Sequence, residues 1–142
     1  MSTSKRLGMD DTSGFDFAQE MLNGDVTAAI NFDRIQQKRD GTYIIFEYLL
    51  CEESQTVNPH TSHPNRYMHK NKKKFTSLWS VTQDLNAILY LVNYAKKGTR
   101  HEDKVLLMKV TNITENRVET EDYPLTRARF QAWFRKQNAV CL

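Results

Sequence analysis

The sequence is poor in the residues that build cross-linked, membrane-spanning or glycine-rich architectures. Its 142 residues include two cysteines, three prolines and five glycines. Cys51 and Cys141 are too few for a disulfide framework, so we expect two reduced thiols. No apolar run reaches the length of a membrane span, and the polar start of the chain is not followed by the apolar core of a signal peptide, which leads us to expect a cytoplasmic protein. A glycine-rich phosphate loop and a nucleophile elbow are also absent, which excludes two common enzyme signatures.

What the chain does contain is the composition of an ordinary globular domain. It is 39% hydrophobic and 26% charged, and 142 residues suffice for one domain with a single core. We expect residues 1–14 to form a flexible polar arm in front of that domain. The net charge of +3 is too mild to indicate a nucleic-acid-binding protein by itself, so the location of the charges matters more than their sum.

A β-hairpin is the clearest local prediction. Arg39-Asp40-Gly41-Thr42 separates two apolar segments, and Asp-Gly supplies the positive φ that a tight turn requires. The second strand, residues 43–51, is almost entirely apolar, which is typical of a strand covered on both faces at the centre of a sheet.

The remaining pattern predicts helices on either side of that sheet. Apolar spacing predicts a short helix over 15–22 and a long amphipathic helix over 78–97. Residues 104–110 form another apolar strand, 118–121 pair with it across a turn, and Thr126 caps a final helix. A strand, a crossover helix and a second strand favour parallel pairing, so the predicted fold class is α/β, a mixed β-sheet flanked by helices.

Two acidic residues stand out because the hairpin brings them together. Glu47 interrupts the apolar second strand, and an ionised carboxylate in a dry strand is costly unless something pairs with it. Asp33 lies on the preceding strand, and two carboxylates can hold a hard divalent cation such as Mg²⁺. The alternative is a solvated Asp33 and a Glu47 paired with Arg34 or Lys38.

This order of elements resembles the PD-(D/E)xK nucleases, also called the restriction-endonuclease-like family. The matching positions are Asp33 in Asn31-Phe32-Asp33 and Glu47 in Ile45-Phe46-Glu47, within about residues 15–112. The resemblance implies a restriction-endonuclease-like core that hydrolyses phosphodiester bonds in DNA. It also implies Mg²⁺ or Mn²⁺ held by Asp33 and Glu47, with Glu20 of the first helix as an additional ligand.

The motif departs from the family at the lysine. Leu49 stands two residues after Glu47, where the family carries a lysine that orients the attacking water and stabilises negative charge. In some members this lysine lies on a neighbouring element. The candidates here are Lys38 on the facing strand and Lys72, Lys73 and Lys74 in front of the long helix.

A long basic loop over residues 54–76 is the predicted nucleic-acid contact. A loop of this length in a compact domain is typically functional or mobile. Its cations are able to neutralise phosphates, although a solvated charge run explains them equally well. They are Arg66, Lys70, Lys72, Lys73 and Lys74. His60, His63 and His69 in the same loop are more typical of solvated side chains than of a zinc site.

A second class of function stays open beside the nuclease. The domain could instead be a catalytically inactive nucleic-acid-binding module or a protein-interaction factor, of the kind that phages and mobile elements encode. The aromatic residues of the last helix are suited to the core or to a homodimer contact.

Overall fold

A computed structural model describes residues 13–142, so the predicted arm falls almost wholly outside the described residues. Its last two positions, Ser13 and Gly14, begin the first helix. Within these residues the elements are three α-helices, five strands and two 3₁₀ turns. In chain order they are α1 (Ser13–Leu22), β1 (Arg34–Gln37), β2 (Tyr43–Leu50), the 3₁₀ turns Pro64–Arg66 and Met68–Lys70, α2 (Lys72–Asp84), β3 (Ile88–Tyr94), β4 (Lys104–Ile113), β5 (Val118–Thr126) and α3 (Arg127–Ala139).

The five strands form one mixed sheet in the order β1-β2-β3-β4-β5. β2 and β3 run parallel, and the other three neighbouring pairs are antiparallel. Because α2 connects the parallel pair and α3 lies on the opposite face, the prediction of an α/β mixed sheet flanked by helices is confirmed.

The predicted hairpin between β1 and β2 is confirmed with its turn. Gly41 has φ +95°, a backbone conformation that side chains disfavour, and the Asp40 carboxylate accepts a hydrogen bond from the Thr42 N–H. β2 is buried on both faces, as its continuous apolar run predicted. No regular secondary structure precedes β1 between residues 25 and 33.

The predicted long helix over 78–97 is wrong. α2 begins earlier, at Lys72, and ends at Asp84; Asn86 then adopts φ +50° and the chain enters β3. The N–H of Ala87 bonds back to the carbonyl of Thr82, which closes the helix in the manner of a left-handed cap. The parallel partner of β2 is therefore β3, and the strand predicted for that place, β4, is antiparallel to β3.

The C-terminal half otherwise contains the elements that the sequence predicted. β4 and β5 pair as an antiparallel hairpin, and the Thr126 hydroxyl accepts a hydrogen bond from the Arg129 N–H at the start of α3. The long loop is shorter than predicted, since α2 begins at Lys72. It is also more ordered, because two 3₁₀ turns precede the helix.

Two apolar layers hold the sheet between the helices. On one face Phe75 and Leu78 of α2 pack on residues of β2 to β5, and on the other Trp133 and Phe134 of α3 pack around Phe46. The aromatic residues of α3 are thus half-buried side chains that pack against the core, as one of the two interpretations held. Within residues 13–142, each helix is too short and too polar to cross a bilayer.

Candidate functional site

Glu47 is the buried charge at the centre of the candidate site. Side chains alternate along β2, so Glu47 shares a face with Ile45 and Leu49, beneath α2. Glu47 is only 5% exposed, and its neighbours on that face are apolar. A carboxylate in this position loses most of its hydration and needs compensation from the protein or from a bound ion.

Asp33 lies directly across the hairpin from Glu47. It occupies a bend one residue before β1, where its N–H bonds to the carbonyl of Phe46 at 3.2 Å and its Oδ2 accepts from the N–H of Tyr48 at 2.8 Å. The register pairs Arg34 with Phe46, and one step further it sets Asp33 opposite Glu47 on the same face. The structure therefore brings together the two acids that the sequence singled out.

Lys74 supplies the cation of the site. Its Nζ lies 2.9 Å from Oε1 of Glu47, and the lysine side chain is 40% exposed while that of Glu47 is 7% exposed. Oε2 of Glu47 is buried and has no hydrogen-bond partner among the described residues. One carboxylate oxygen is thus paired with Lys74, and a hydrogen bond to the neighbouring Asp33 carboxylate is open to Glu47 only in its protonated form.

The surroundings of Glu47 shift its pKa upward. Burial raises the pKa of Glu47 above its ordinary value, and the nearby Asp33 carboxylate raises it further. The hydrogen bond and the charge of Lys74 act in the opposite direction and do not cancel the effect of burial. A bound divalent cation would reverse this balance by favouring the ionised form.

Two other predicted site residues are not part of this cluster. Lys38 lies at the turn of the hairpin, where its N–H bonds to the carbonyl of Thr42. Glu47 is five positions after Thr42, which is roughly 16 Å along a strand, beyond the reach of a lysine side chain. Glu20 lies on α1, and the described residues contain no group of three or more His, Cys, Asp or Glu that could hold a metal, so Glu20 does not join Asp33 and Glu47.

A cleft of about 740 Å³ opens beside Glu47 and Lys74. One wall is the irregular segment 26–31, and the other is the first two turns of α2, with Lys73 and Ser77 one helical turn apart. A second cleft of about 310 Å³ lies on the other side of Lys74 and is lined by Arg66, Tyr67 and the end of β2. The two clefts meet at Lys74.

The predicted basic cluster is divided among different places. Lys73 and Lys74 line the larger cleft, and Arg66 lines the smaller one, where its guanidinium donates to Ser62. Lys72 pairs instead with Glu115 on the β4–β5 turn at 3.5 Å, and Lys70 is exposed at the end of a 3₁₀ turn. Three of the five cations therefore line the clefts that meet at Lys74.

The loop histidines hold the loop against the sheet. His60 Nε2 lies 3.0 Å from the carbonyl of Leu125, and His63 Nε2 lies 2.8 Å from the Thr120 hydroxyl. Both contacts reach β5, so the loop is fixed across the face from which α2 begins. This fixed path carries the chain to Lys72 and thereby determines where Lys73 and Lys74 project.

The sequence did not identify Ser77, nor did it select Lys74 among the four candidate lysines. Phe75 and Leu78 are fully buried on α2 and orient the helix, so Lys74 falls at the margin of the buried stripe, over β2. The four-residue spacing from Lys73 to Ser77 was the available signal for a shared helical face.

Comparisons with known proteins give no further guidance. No family model, no curated protein and no solved structure matches this chain.

Proposed function

We propose that this domain is a Mg²⁺-dependent phosphodiesterase acting on DNA, a nuclease of the PD-(D/E)xK type whose lysine is displaced from β2 to α2. The observation that carries the proposal is the environment of Glu47. It is a buried carboxylate with one oxygen on a lysine, the other without a partner, and a second carboxylate directly across the hairpin.

The donor set fits a hard divalent cation. Oε2 of Glu47 has no hydrogen-bond partner among the described residues, and the Asp33 carboxylate lies beside it, so the two acids together offer oxygen ligands to an ion. Mg²⁺ is commonly held by one or two carboxylates and keeps several waters. When bound, Mg²⁺ supplies a water of lowered pKa and a positive charge at the scissile phosphate.

Lys74 performs the role of the family's lysine, which Leu49 cannot perform. Its ammonium contacts the Glu47 carboxylate and borders both clefts, so it lies where a phosphodiester would meet the two acids. A cation fixed at this point stabilises negative charge that develops on the phosphate and its leaving oxygen. The parallel connection from β2 through α2 to β3 is what places this helix over Glu47.

The clefts on either side of Lys74 provide phosphate contacts. Lys73 borders one and Arg66 the other, so a nucleic-acid strand passing over Lys74 would meet a cation on both sides. Such contacts position the backbone without reading sequence. The restriction-endonuclease-like core belongs to this proposal and rests on the hairpin, the two acids and the crossover helix.

The decisive experiment is cleavage of supercoiled plasmid and of a labelled single-stranded oligonucleotide, with Mg²⁺, Mn²⁺ or EDTA. We expect metal-dependent cleavage by the wild type and a loss of at least about a hundredfold in E47Q, D33N and K74M, the loss typical of removing a transition-state group. K96M is the matched control, because Lys96 is exposed beyond the end of β3. Cleavage retained in E47Q would remove Glu47 from the mechanism.

A binding measurement distinguishes the second candidate, a catalytically inactive nucleic-acid-binding module. The specific observation in its favour is that Glu47 Oε2 is buried and Glu47 is already paired with Lys74. That module would bind DNA with strong salt dependence and would not cleave under any metal condition. Its affinity would fall in R66A and K73A and would not depend on Mg²⁺.

A further inference from the structure

Helix α1 exposes an apolar stripe that residues 13–142 do not cover. None of its ten residues is buried, and Phe15, Phe17 and Met21 are 75%, 62% and 57% exposed. At 100° per residue these side chains, together with Ala18 and Leu22, fall on one side of the helix. Burying one such side chain is worth about 1.5–3 kcal/mol, so a surface that covers the stripe would be strongly favoured.

A groove beside α3 has the matching character. It has a volume of about 560 Å³ and lies between α3 and the outer face of β3, β4 and β5. Its floor is apolar, with Leu107, Leu125 and Trp133, and Tyr123 at its edge is 46% exposed. The groove is therefore a hydrophobic surface left open beside a single covering helix.

The helices that carry the two surfaces have opposite net charges, and the acids of α1 lie away from its apolar stripe. Lys109, Arg129 and Lys136 line the groove without an ion pair within residues 13–142, and Glu121 accepts a hydrogen bond from Tyr123 at its edge. α3 carries four basic residues and no acidic one, whereas α1 carries Asp16 and Glu20 and no basic one. Within residues 13–142, a helix with acidic side chains and an exposed apolar stripe thus lies on the same chain as an apolar groove lined by basic residues.

We propose that α1 of one copy docks in the α3 groove of a second copy, and that the exchange is reciprocal, giving a two-fold symmetric homodimer. The interface is isologous, because each copy contributes one helix and one groove. The proposal is independent of the proposed nuclease activity.

The path of the chain favours a second copy over the chain's own groove. Residues 26–31, which follow α1, form a wall of the cleft on the α2 face, and β1 is an edge strand. The groove lies on the opposite face, at β4, three strand spacings or about 14 Å further across the sheet. The tether therefore leads α1 away from the groove of its own chain.

The acids orient the docked helix and do not form buried pairs. Asp16 and Glu20 lie opposite the apolar stripe, so they point outward when the stripe enters the groove. Their attraction to the rim cations acts over several ångströms, which accelerates and aligns docking and weakens with added salt.

The test is the mass of the full chain by light scattering and sedimentation over a concentration series. We expect the wild type to form a dimer of twice 16.6 kDa. F17D/M21D on the helix and A132E in the groove should each raise the dissociation constant at least tenfold, since about 1.4 kcal/mol suffices for that change. All three positions are exposed, so the fold should persist, as circular dichroism will verify. L142D, at a 65%-exposed apolar residue outside the groove, is the control.

Disulfide trapping identifies the partner. In a C141S background, A18C and A132C copies are mixed and oxidised; a disulfide between copies supports the proposal. A monomeric wild type, a dimer that survives either interface variant, or an intrachain disulfide in the A18C/A132C double variant would overturn it.

Discussion

Glu47 occupies a position in β2 that a leucine or isoleucine would fill without electrostatic cost. Its neighbours on the same face are apolar, and its side chain is 7% exposed. Replacing a buried ion pair with apolar residues often leaves a protein as stable or makes it more stable, so the Lys74 contact alone is weak evidence for a structural role. A residue kept at a cost to stability is typical of a functional site.

We therefore predict that E47Q is more stable than the wild type at pH 7. Burial raises the pKa of Glu47 in the folded state, so its contribution to stability is fully present below the unfolded value of 4.5 and is lost as the pH rises through the folded pKa. Glutamine does not ionise, so the free energy of unfolding of E47Q relative to that of the wild type should rise from pH 4 to pH 7. Urea unfolding at both pH values measures it.

The matched variant K74M should have the opposite effect. It removes the cation that lies 2.9 Å from Oε1 of Glu47 and leaves both carboxylate oxygens without a cationic partner among the described residues. A buried acceptor without a partner costs about 1–3 kcal/mol, and the double variant E47Q/K74M should recover most of this loss. If E47Q proves as destabilised as K74M, the pair is a net stabilising contact and Glu47 has a structural explanation.

At the scale of elements, α2 and β3 show where sequence patterns reach their limit. The apolar stripe of α2 continues without a break into Ile88 and Leu89, because β3 is largely buried on both faces and reads as a continuous apolar run. In a continuous apolar run, periodicity alone does not distinguish a helix from a buried strand. The boundary is set by Asn86, whose left-handed backbone ends the helix.

We predict that N86G preserves or raises stability and that N86A lowers it by about 1 kcal/mol. Asn86 has φ +50°, which glycine adopts freely and alanine adopts only at a cost of about 1–2 kcal/mol. Thermal unfolding of the two variants measures the difference. Equal stability of N86G and N86A would mean that this backbone conformation does not determine the end of α2.

The hairpin made part of the site predictable, and tertiary packing determined the rest. Asp33 and Glu47 are separated by a short turn, so their register followed from Asp40-Gly41 alone. Lys74 lies on another element, and its position depends on the crossover through α2 and on burial of Phe75 and Leu78. No local pattern distinguishes it from Lys72, which pairs with Glu115.

On the scale of the whole molecule, a loop of polar residues links the end of β2 to the edge strand β5. The segment between β2 and α2 crosses to β5, where His63 Nε2 donates to the Thr120 hydroxyl, which in turn donates to Asp122. His63 Nδ1 accepts the N–H of Asn65, so both ring nitrogens are used by the neutral form. The sequence showed only a polar segment rich in histidine, and its solvated interpretation missed these contacts.

Acid should therefore loosen this loop through His63. Burial lowers the pKa of His63 below 6.5, Arg117 lowers it further, and the charge of Asp122 opposes both. Because the unfolded chain takes up the proton first, the contribution of His63 to stability is present above pH 6.5 and is lost as the pH falls through the folded pKa. We expect the urea midpoint of the wild type to fall between pH 7.5 and pH 5.5 by more than that of H63Q.

H69Q, at an exposed histidine of the same loop, is the control and should retain the wild-type dependence. A fall of the same size in H63Q would show that other groups carry the acid sensitivity, and that His63 does not fix the loop to β5.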